Sequence, residues 1–461
     1  MWKKLIQRMA FSRIIMAITI LLLLTAAVES EGRRGRDRGG TGATAVADTA
    51  SEAPTGYDNK TNGLVKQAIH DQNREVFDKV EGIEEGLGPV FNGQSCRECH
   101  LNPVSGAGSQ ITELRAAYSG QRRIEQRRRH RRSGRRGQGF AIGLGDEYAD
   151  PDILINYGRD TIFGRSLIND RAICPGDDFL GLSAQMTAPE DVTVRSNRIS
   201  LSILGDGFIE AIPDEAIQSV ALEQCARGDG ICGQVNMVPI LEAPDPDLRE
   251  IGRLGWKAQH ASLLSFAADA YLNEMGITNR LLREDVTSVC DVVVADPEDD
   301  DDDVDIFAEF MRATKAPPRQ PELAQQPDGQ IGSEIFEQIG CANCHVTTFI
   351  TAPAGSLIHG GKFKISEALG NKIIHPYSDF LLHDVWTGDG IIQGDPSTEN
   401  KMRTPPLWGL HMRPRLMHDG DSTTVTDAIN RHGGEAKSVT RRFFNLHSEE
   451  REKVILFLKS L

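Results

Sequence analysis

SCRECH, residues 95–100, returns near the other end of the chain as GCANCH, residues 340–345. Each copy puts two thiols three residues apart with an imidazole directly after them: Cys96, Cys99 and His100, then Cys341, Cys344 and His345. On a helical turn these are positions i, i+3 and i+4, so all three groups project from one face. That face suits one planar cofactor. Two thiols reach the two vinyl groups of a porphyrin while the imidazole reaches its iron, which is the attachment pattern of a c-type haem. A dithiol redox pair needs no histidine after it, and a structural zinc site needs four ligands, usually with its second pair about 15–20 residues on. With 8 cysteines and 12 histidines in 461 residues, two accidental copies are not expected. The chain is therefore expected to hold two covalently bound haem c groups, with His100 and His345 as iron ligands.

The N-terminus points out of the cytoplasm. Lys3, Lys4, Arg8 and Arg13 precede an apolar run from Ile14 to Val28 that ends in small residues. This is the pattern of an export signal over residues 1–28, and it falls short of the about 20 apolar residues that a membrane span needs. Thioether attachment of haem in bacteria takes place outside the cytoplasmic membrane, so the expected compartment is the periplasm, with no stable membrane insertion once the signal is removed. The net charge of −15 argues against nucleic acid as a partner and suits a basic redox protein. Cys174, Cys225, Cys232 and Cys290 remain outside the clips. In an oxidising compartment an even remainder suggests disulfides. The short loop CARGDGIC favours Cys225 with Cys232, which leaves Cys174 with Cys290.

Residues 29–56 are rich in Gly, Ala, Ser and Thr and read as a disordered leader. A first haem domain is expected over 57–296. Its clearest helix runs from about Ser262 to Met275 with Gly276 as its stop, burying Leu263, Phe266, Ala267, Ala270 and Tyr271. Gln121–Gly139 carries nine arginines between 122 and 136 and reads as a solvated loop near the haem edge, able to steer an acidic partner. Asp299–Asp303 repel one another and mark a solvated linker over 297–330, which includes a short helix ending before Pro317. Calcium is the sharper alternative for that run, but the EF-hand spacing is missing. A second cytochrome c-like domain is expected over 331–461. There Gly332 and Phe336 stand one turn apart ahead of the clip, and Ser448 can cap a closing helix. The fold class is mainly α with long ordered loops and two cytochrome c-like haem domains.

The blocks GLGPVFNGQSCRECH, FIEAIP, GRLGWKAQHASL, EMGIT, IHPYSDFLLHD, RTPPLWGL, MHDG and HGGEA together resemble the bacterial di-haem oxidoreductase family labelled as peroxidases. That family is related to the di-haem cytochrome c peroxidases and to the di-haem enzyme of methylamine utilisation. The resemblance spans about 80–461. Two departures stand out: the ARGDGICG turn keeps Asp229 but surrounds it with cysteines, which weakens a calcium role there, and the Arg-rich insert is long and basic.

The resemblance implies that the haem held by Cys96, Cys99 and His100 meets hydrogen peroxide while the second haem delivers electrons from a small cytochrome or copper protein. Cleavage of the O–O bond also needs a group that moves a proton, and Gln110 and Glu113 are candidates against a plain surface role. In the related peroxidases a methionine follows the His-Asp-Gly turn in the slot that here holds His432, so His432 is the expected sixth ligand of the second haem, with Met402, Met412, Met417 and His418 as rivals. His375 and His383 match family blocks and are candidates for a haem-pocket role. His70 and His130 sit in polar stretches and are expected in solvent. Trp256, Trp386 and Trp408 are candidates for core or for electron transfer between haems. A di-haem electron carrier without peroxide chemistry, and an oxidase acting on a protein or thiol, are the alternative functions.

Overall fold

Local capping signals and short backbone pairings, not long sheets, organise the chain. The structure is a computed structural model that describes residues 50–461 apart from 119–153, 158–159, 164, 175–183, 288–289, 291–296 and 300–301. The export signal, most of the leader, the Arg-rich run and His130 lie outside the described residues. Ala50–Leu461 form one unit. The helices that position the sites are α1 (Gln67–Asp78), α2 (Cys96–Cys99), α3 (Asp206–Glu210), α4 (Asp214–Arg227), α5 (Leu263–Met275), α6 (Asp303–Ala313), α7 (Pro327–Gln338), α8 (Val425–Asn430), α9 (Lys437–Asn445) and α10 (Ser448–Ser460). No helix among the described residues is long and apolar enough to cross a membrane.

Ser262 caps α5 by accepting from the N–H groups of Leu264 and Ser265, and Gly276 ends it in the left-handed region at φ 75°. The buried face is wider than the expected stripe. Leu263, Ala267 and Tyr271 are buried, Phe266 and Ala270 are half-buried, and Leu264, Ala268, Leu272 and Met275 are buried as well. The extra burial has a cause in α6, whose Phe307 packs edge-on against Tyr271 at 5.1 Å.

That packing corrects the reading of the acidic run as wholly solvated. Asp299 is buried, and its carboxylate accepts from the N–H groups of Asp303 at 2.7 Å and Val304 at 3.4 Å, which caps α6. Val304, Phe307, Phe310 and Met311 enter the same core as Phe77 of α1. His70 also departs from expectation: it is 2% exposed and stacks on Phe310 at 5.2 Å. The leader ends sooner than residue 56. Ser51 and Glu52 pair in parallel with Lys372 and Ile373, and Thr55 bridges Ala316, so backbone hydrogen bonds hold a segment that has little apolar surface.

Toward the C-terminus, α7 and α10 cross closely at Gly332, where a Cβ would run into the Lys453 carbonyl. Phe336, one turn on, packs against Phe457 at 5.3 Å. His447, and not Ser448, occupies the N-cap of α10, its N–H donating to Glu450 Oε2 at 2.9 Å. Ile335, Phe336, Phe443, Val454, Phe457 and Leu458 form a core distinct from the larger one under α5 and α6.

Two buried ion networks hold the regions in register. Asp389 accepts from Arg198 Nε at 2.7 Å and pairs with Lys257 Nζ at 2.9 Å, with all three side chains at most 2% exposed. In the other, His359 lies between Glu210 at 3.2 Å and Glu250 at 2.7 Å, and Arg312 pairs with Glu210 at 2.7 Å. Burial alone would push the His359 imidazole down, but its hydrogen bonds to both carboxylates outweigh this and raise it to about 9. An unfolded histidine titrates near ~6.5. The charged ring therefore adds stability that is complete below pH ~6.5 and fades as the pH climbs through the folded value, and the shift corresponds to ~3 kcal/mol. His359→Gln should lower the urea midpoint most near pH ~6, with the deficit shrinking toward pH ~9.5. A deficit that does not change with pH would mean that His359 is neutral throughout.

Candidate functional site

Gly340, at φ 93°, lets the chain leave α7 into the tight turn Cys341–Asn343. His345 Nδ1 donates to the Tyr377 carbonyl at 3.0 Å, and His432 Nδ1 donates to the Ala428 carbonyl at 2.7 Å. Each carbonyl holds the proton on Nδ1 and leaves Nε2 with a free lone pair. The two ring centroids are 6.4 Å apart and the planes are inclined by 54°. One metal ion bonded to both rings, at about 2.0–2.1 Å per bond, fits that separation once the ring radii are counted. Burial pushes His345 down to about 4 and lowers His432 as well, so both rings are neutral at pH 7.

Cys341, Cys344, His345 and His432 line one solvent-open cavity. Its walls also include Trp256, Met402, Trp408, Phe443 and, from the segment after the first clip, Ala107–Gln110. Met412, Met417 and His418 reach it too, but the ring packed against His345 is that of His432. The short helix α8, capped by Thr424, and its end at Arg431 deliver His432 to that place.

The first clip sits on α2, capped by Ser95, whose hydroxyl accepts from the Glu98 N–H at 3.3 Å. The Nδ1 of His100 is buried without a hydrogen-bond partner. Burial pushes this imidazole down to about 4, against the opposing pull of the Ala107 and Leu201 backbone. The ring is thus neutral, the form that can bind a metal. Burial drives the Cys99 thiol up to about 12, with the carboxylates of Glu274, Glu98 and Glu113 adding to the rise.

Glu113 lies beside this clip, on the strand Thr112–Ala117, directly opposite Arg198 of the strand Val194–Ile199. Burial would raise its carboxyl, but Arg115 at 2.5 Å holds it down. Glu274 goes the other way: burial and the neighbouring charge of Glu113 raise it, although Asn92 donates to it at 2.7 Å. Two carboxyls in contact, one favoured ionised and one favoured protonated, share a proton. Glu274 escaped the reading of the sequence. It comes from the last turn of α5, which is pinned to the segment before the clip by the Asn92 N–H donating to the Glu274 carbonyl at 2.7 Å. Gln110, the other candidate, is exposed and bonds the Ser109 carbonyl at 3.3 Å, on the wall of the large cavity.

His383 reaches the second clip, its Nδ1 4.0 Å from Cys344 Sγ. Burial would lower it, but Asp379 at 2.9 Å and Glu435 at 2.8 Å raise it well above the usual histidine range. Cys344, Asp379 and His383 have metal-ligand spacing, but a ring protonated on both nitrogens has no lone pair to give. His375 stays at the surface with Glu52 at 3.2 Å, away from the cavity. Asp229 accepts from the Ile231 N–H at 3.1 Å and pairs with Arg227 at 3.2 Å. Trp256 donates to the Ile199 carbonyl at 2.8 Å and Trp408 is buried, whereas Trp386 is 68% exposed and belongs to no core.

The eight cysteines divide cleanly. Cys174 with Cys290 and Cys225 with Cys232 lie at disulfide distance, their Cα atoms 6.4 Å and 4.4 Å apart, while the four clip thiols are free. A family model described as "Di-haem oxidoreductase, putative peroxidase" matches residues 183–461. The chain belongs to this di-haem oxidoreductase family. As a member it is an oxidoreductase with haem cofactors. Among solved structures it is similar to hydrazine synthase of Kuenenia stuttgartiensis, at 13% identity and a TM-score of 0.38, over 93% of this chain and 97% of that one. It is also similar to a MauG-like protein associated with microbial copper homeostasis, at 19% identity and a TM-score of 0.24, over 36% of this chain and 54% of that one. No curated protein matches the chain.

Proposed function

We propose that this di-haem oxidoreductase is an exported, periplasmic peroxidase that carries two haem c groups. One is attached through Cys96 and Cys99 with His100 on its iron; the other is attached through Cys341 and Cys344 with His345 and His432 on its iron. Cys174–Cys290 and Cys225–Cys232 are then the disulfides of an oxidising compartment. The observation that carries this reading is that each pair of free thiols adjoins a half-buried imidazole held neutral. Neutral imidazole is the ligand form, and thiols kept out of disulfides are available for thioether bonds.

The reaction is hydrogen peroxide plus two electrons and two protons to two waters. Haem iron, when bound, supplies a coordination position for peroxide and the electrons for cleavage. The chain moves the proton. Glu113, kept ionised by Arg115, would accept a proton from one peroxide oxygen while Glu274 gives its own to the other, and the two protons consumed per turnover come from solvent. At the second clip the facing rings of His345 and His432 would both hold the iron, which suits electron delivery from a small cytochrome or copper protein.

Intact mass should show two haems added to a chain cut near residue 28, and acid-acetone should leave the colour with the protein. Extractable colour or bound zinc would end the reading. Steady-state assay with peroxide and a reduced cytochrome then separates a peroxidase from an electron carrier or from an oxidase of protein or thiol substrates.

A further inference from the structure

Trp386 is held where a tryptophan should not be comfortable. Its backbone lies in the left-handed region at φ 63°, and its side chain is 68% exposed. A bulky residue there is strained, and strain of this kind persists where the surroundings over-determine it and function uses it. The surroundings are specific. Asp384 Oδ1 accepts from the Trp386 N–H at 3.0 Å, and the Val385 carbonyl accepts from the Gly433 N–H at 2.9 Å. A Cβ on Gly433 would meet the indole at 2.5 Å, so the glycine directly after His432 makes room for the ring. Lys437 Nζ stands 5.3 Å from the indole centroid, within cation–π range.

Lys437 opens α9, and Arg441 and Phe444 follow at i+4 and i+7, on one face of that helix. All three are exposed, Phe444 at 37%. Neither Lys437 nor Arg441 is ion-paired among the described residues, in a chain whose net charge is −15. The opposite face of α9 is the wall of the cavity, where Val439 and Phe443 stand with Cys341 and His345. One helix thickness therefore separates a cationic, aromatic surface stripe from the second clip.

We propose that Trp386 and the Lys437–Arg441–Phe444 face of α9 form the docking surface for a small acidic electron-transfer protein, which passes electrons to the haem at the second clip. The inference rests on the proposed di-haem peroxidase. Overall charge would select a basic partner, but at physiological salt charges farther than about 8 Å are largely screened, so the local stripe decides. Exposed Trp386 and Phe444 beside Lys437 and Arg441 give an aromatic anchor with a charged rim, the composition of an interface hot spot.

The test uses cytochrome c, which is basic, and the same protein succinylated to make it acidic. The reduced succinylated form should bind the holoprotein in calorimetry and reduce the second haem at least about tenfold faster than native cytochrome c, with a rate that falls as salt is added. Trp386→Gly relieves the left-handed strain, so it should fold with an equal or higher thermal midpoint, yet lose at least about tenfold in affinity and rate. Trp386→Phe should recover most of that loss. Lys437→Glu with Arg441→Glu should reverse the preference between the two probes. Equal rates for both probes, or a Trp386→Gly protein that binds the succinylated form undiminished, would overturn the surface. Loss of the covalent haems would instead overturn the peroxidase reading, and calorimetry would still judge the surface.

Discussion

Replacing His100 with glycine should abolish peroxide reduction while leaving the second haem reducible by a small-molecule donor. The reason is a difference in what surrounds the two clips. The imidazole of His345 faces another imidazole at 6.4 Å, and under the proposed function both rings would hold the iron there, which suits electron transfer and not peroxide binding. Among the described residues the aromatic ring beside His100 is that of Phe77, at 6.3 Å, which offers no ligand atom. Beside that clip lie Glu113 and Glu274 with their shared proton. At the second clip the nearby carboxylates of Asp379 and Glu435 are already committed to the His383 imidazolium. Among the described residues, a carboxyl pair that shares a proton lies beside the first clip, which under the proposed function is where peroxide would meet the iron. Steady-state peroxide turnover and the spectrum of each haem after ascorbate or dithionite check the assignment. Normal turnover by His100→Gly would exchange the roles of the two haems.

What the sequence made legible is what covalent chemistry and local geometry dictate. Cys-x-x-Cys-His has to be contiguous, because one turn must present all three groups, and all four clip thiols are free. Loop length was enough to pair Cys225 with Cys232. Glu274 was illegible because its relation to Glu113 depends on the end of α5 being tied to Asn92, a contact between residues remote in the chain. Asp299 was misread because composition cannot tell which aspartate of a run turns inward to cap a helix. His70 was misread for a related reason: polar neighbours on α1 hide that its own position faces Phe310. Trp386 lies beyond pattern reading altogether, since its exposure and its positive φ follow from pairing with Gly433.

His432→Ala should turn the ferric haem at the second clip from low-spin to high-spin. Two imidazoles give a strong axial field and a low potential, whereas the alanine variant leaves one position to water. The geometry favouring His432 over its rivals is specific. Its Nδ1 is tied to the Ala428 carbonyl at 2.7 Å, which fixes the tautomer and turns the other nitrogen free, and its ring is the one packed on His345. Met412 is 39% exposed and sits in a short turn after Gly409, while His418 packs its ring edge-on to Trp256 at 6.1 Å and gives its carbonyl to the Ile199 N–H at 2.7 Å. Met402 packs with Ile199 and Trp256 in a small separate cluster. Electron paramagnetic resonance of the oxidised variant reads the outcome directly. The low-spin signal of the second haem should disappear in favour of a high-spin one, its potential should rise, and exogenous imidazole should restore the low-spin spectrum by filling the vacated position. A spectrum that stays low-spin without imidazole would pass the role to a neighbouring side chain, and Met402→Ala in the same background would then show whether its thioether had taken the place of the ring.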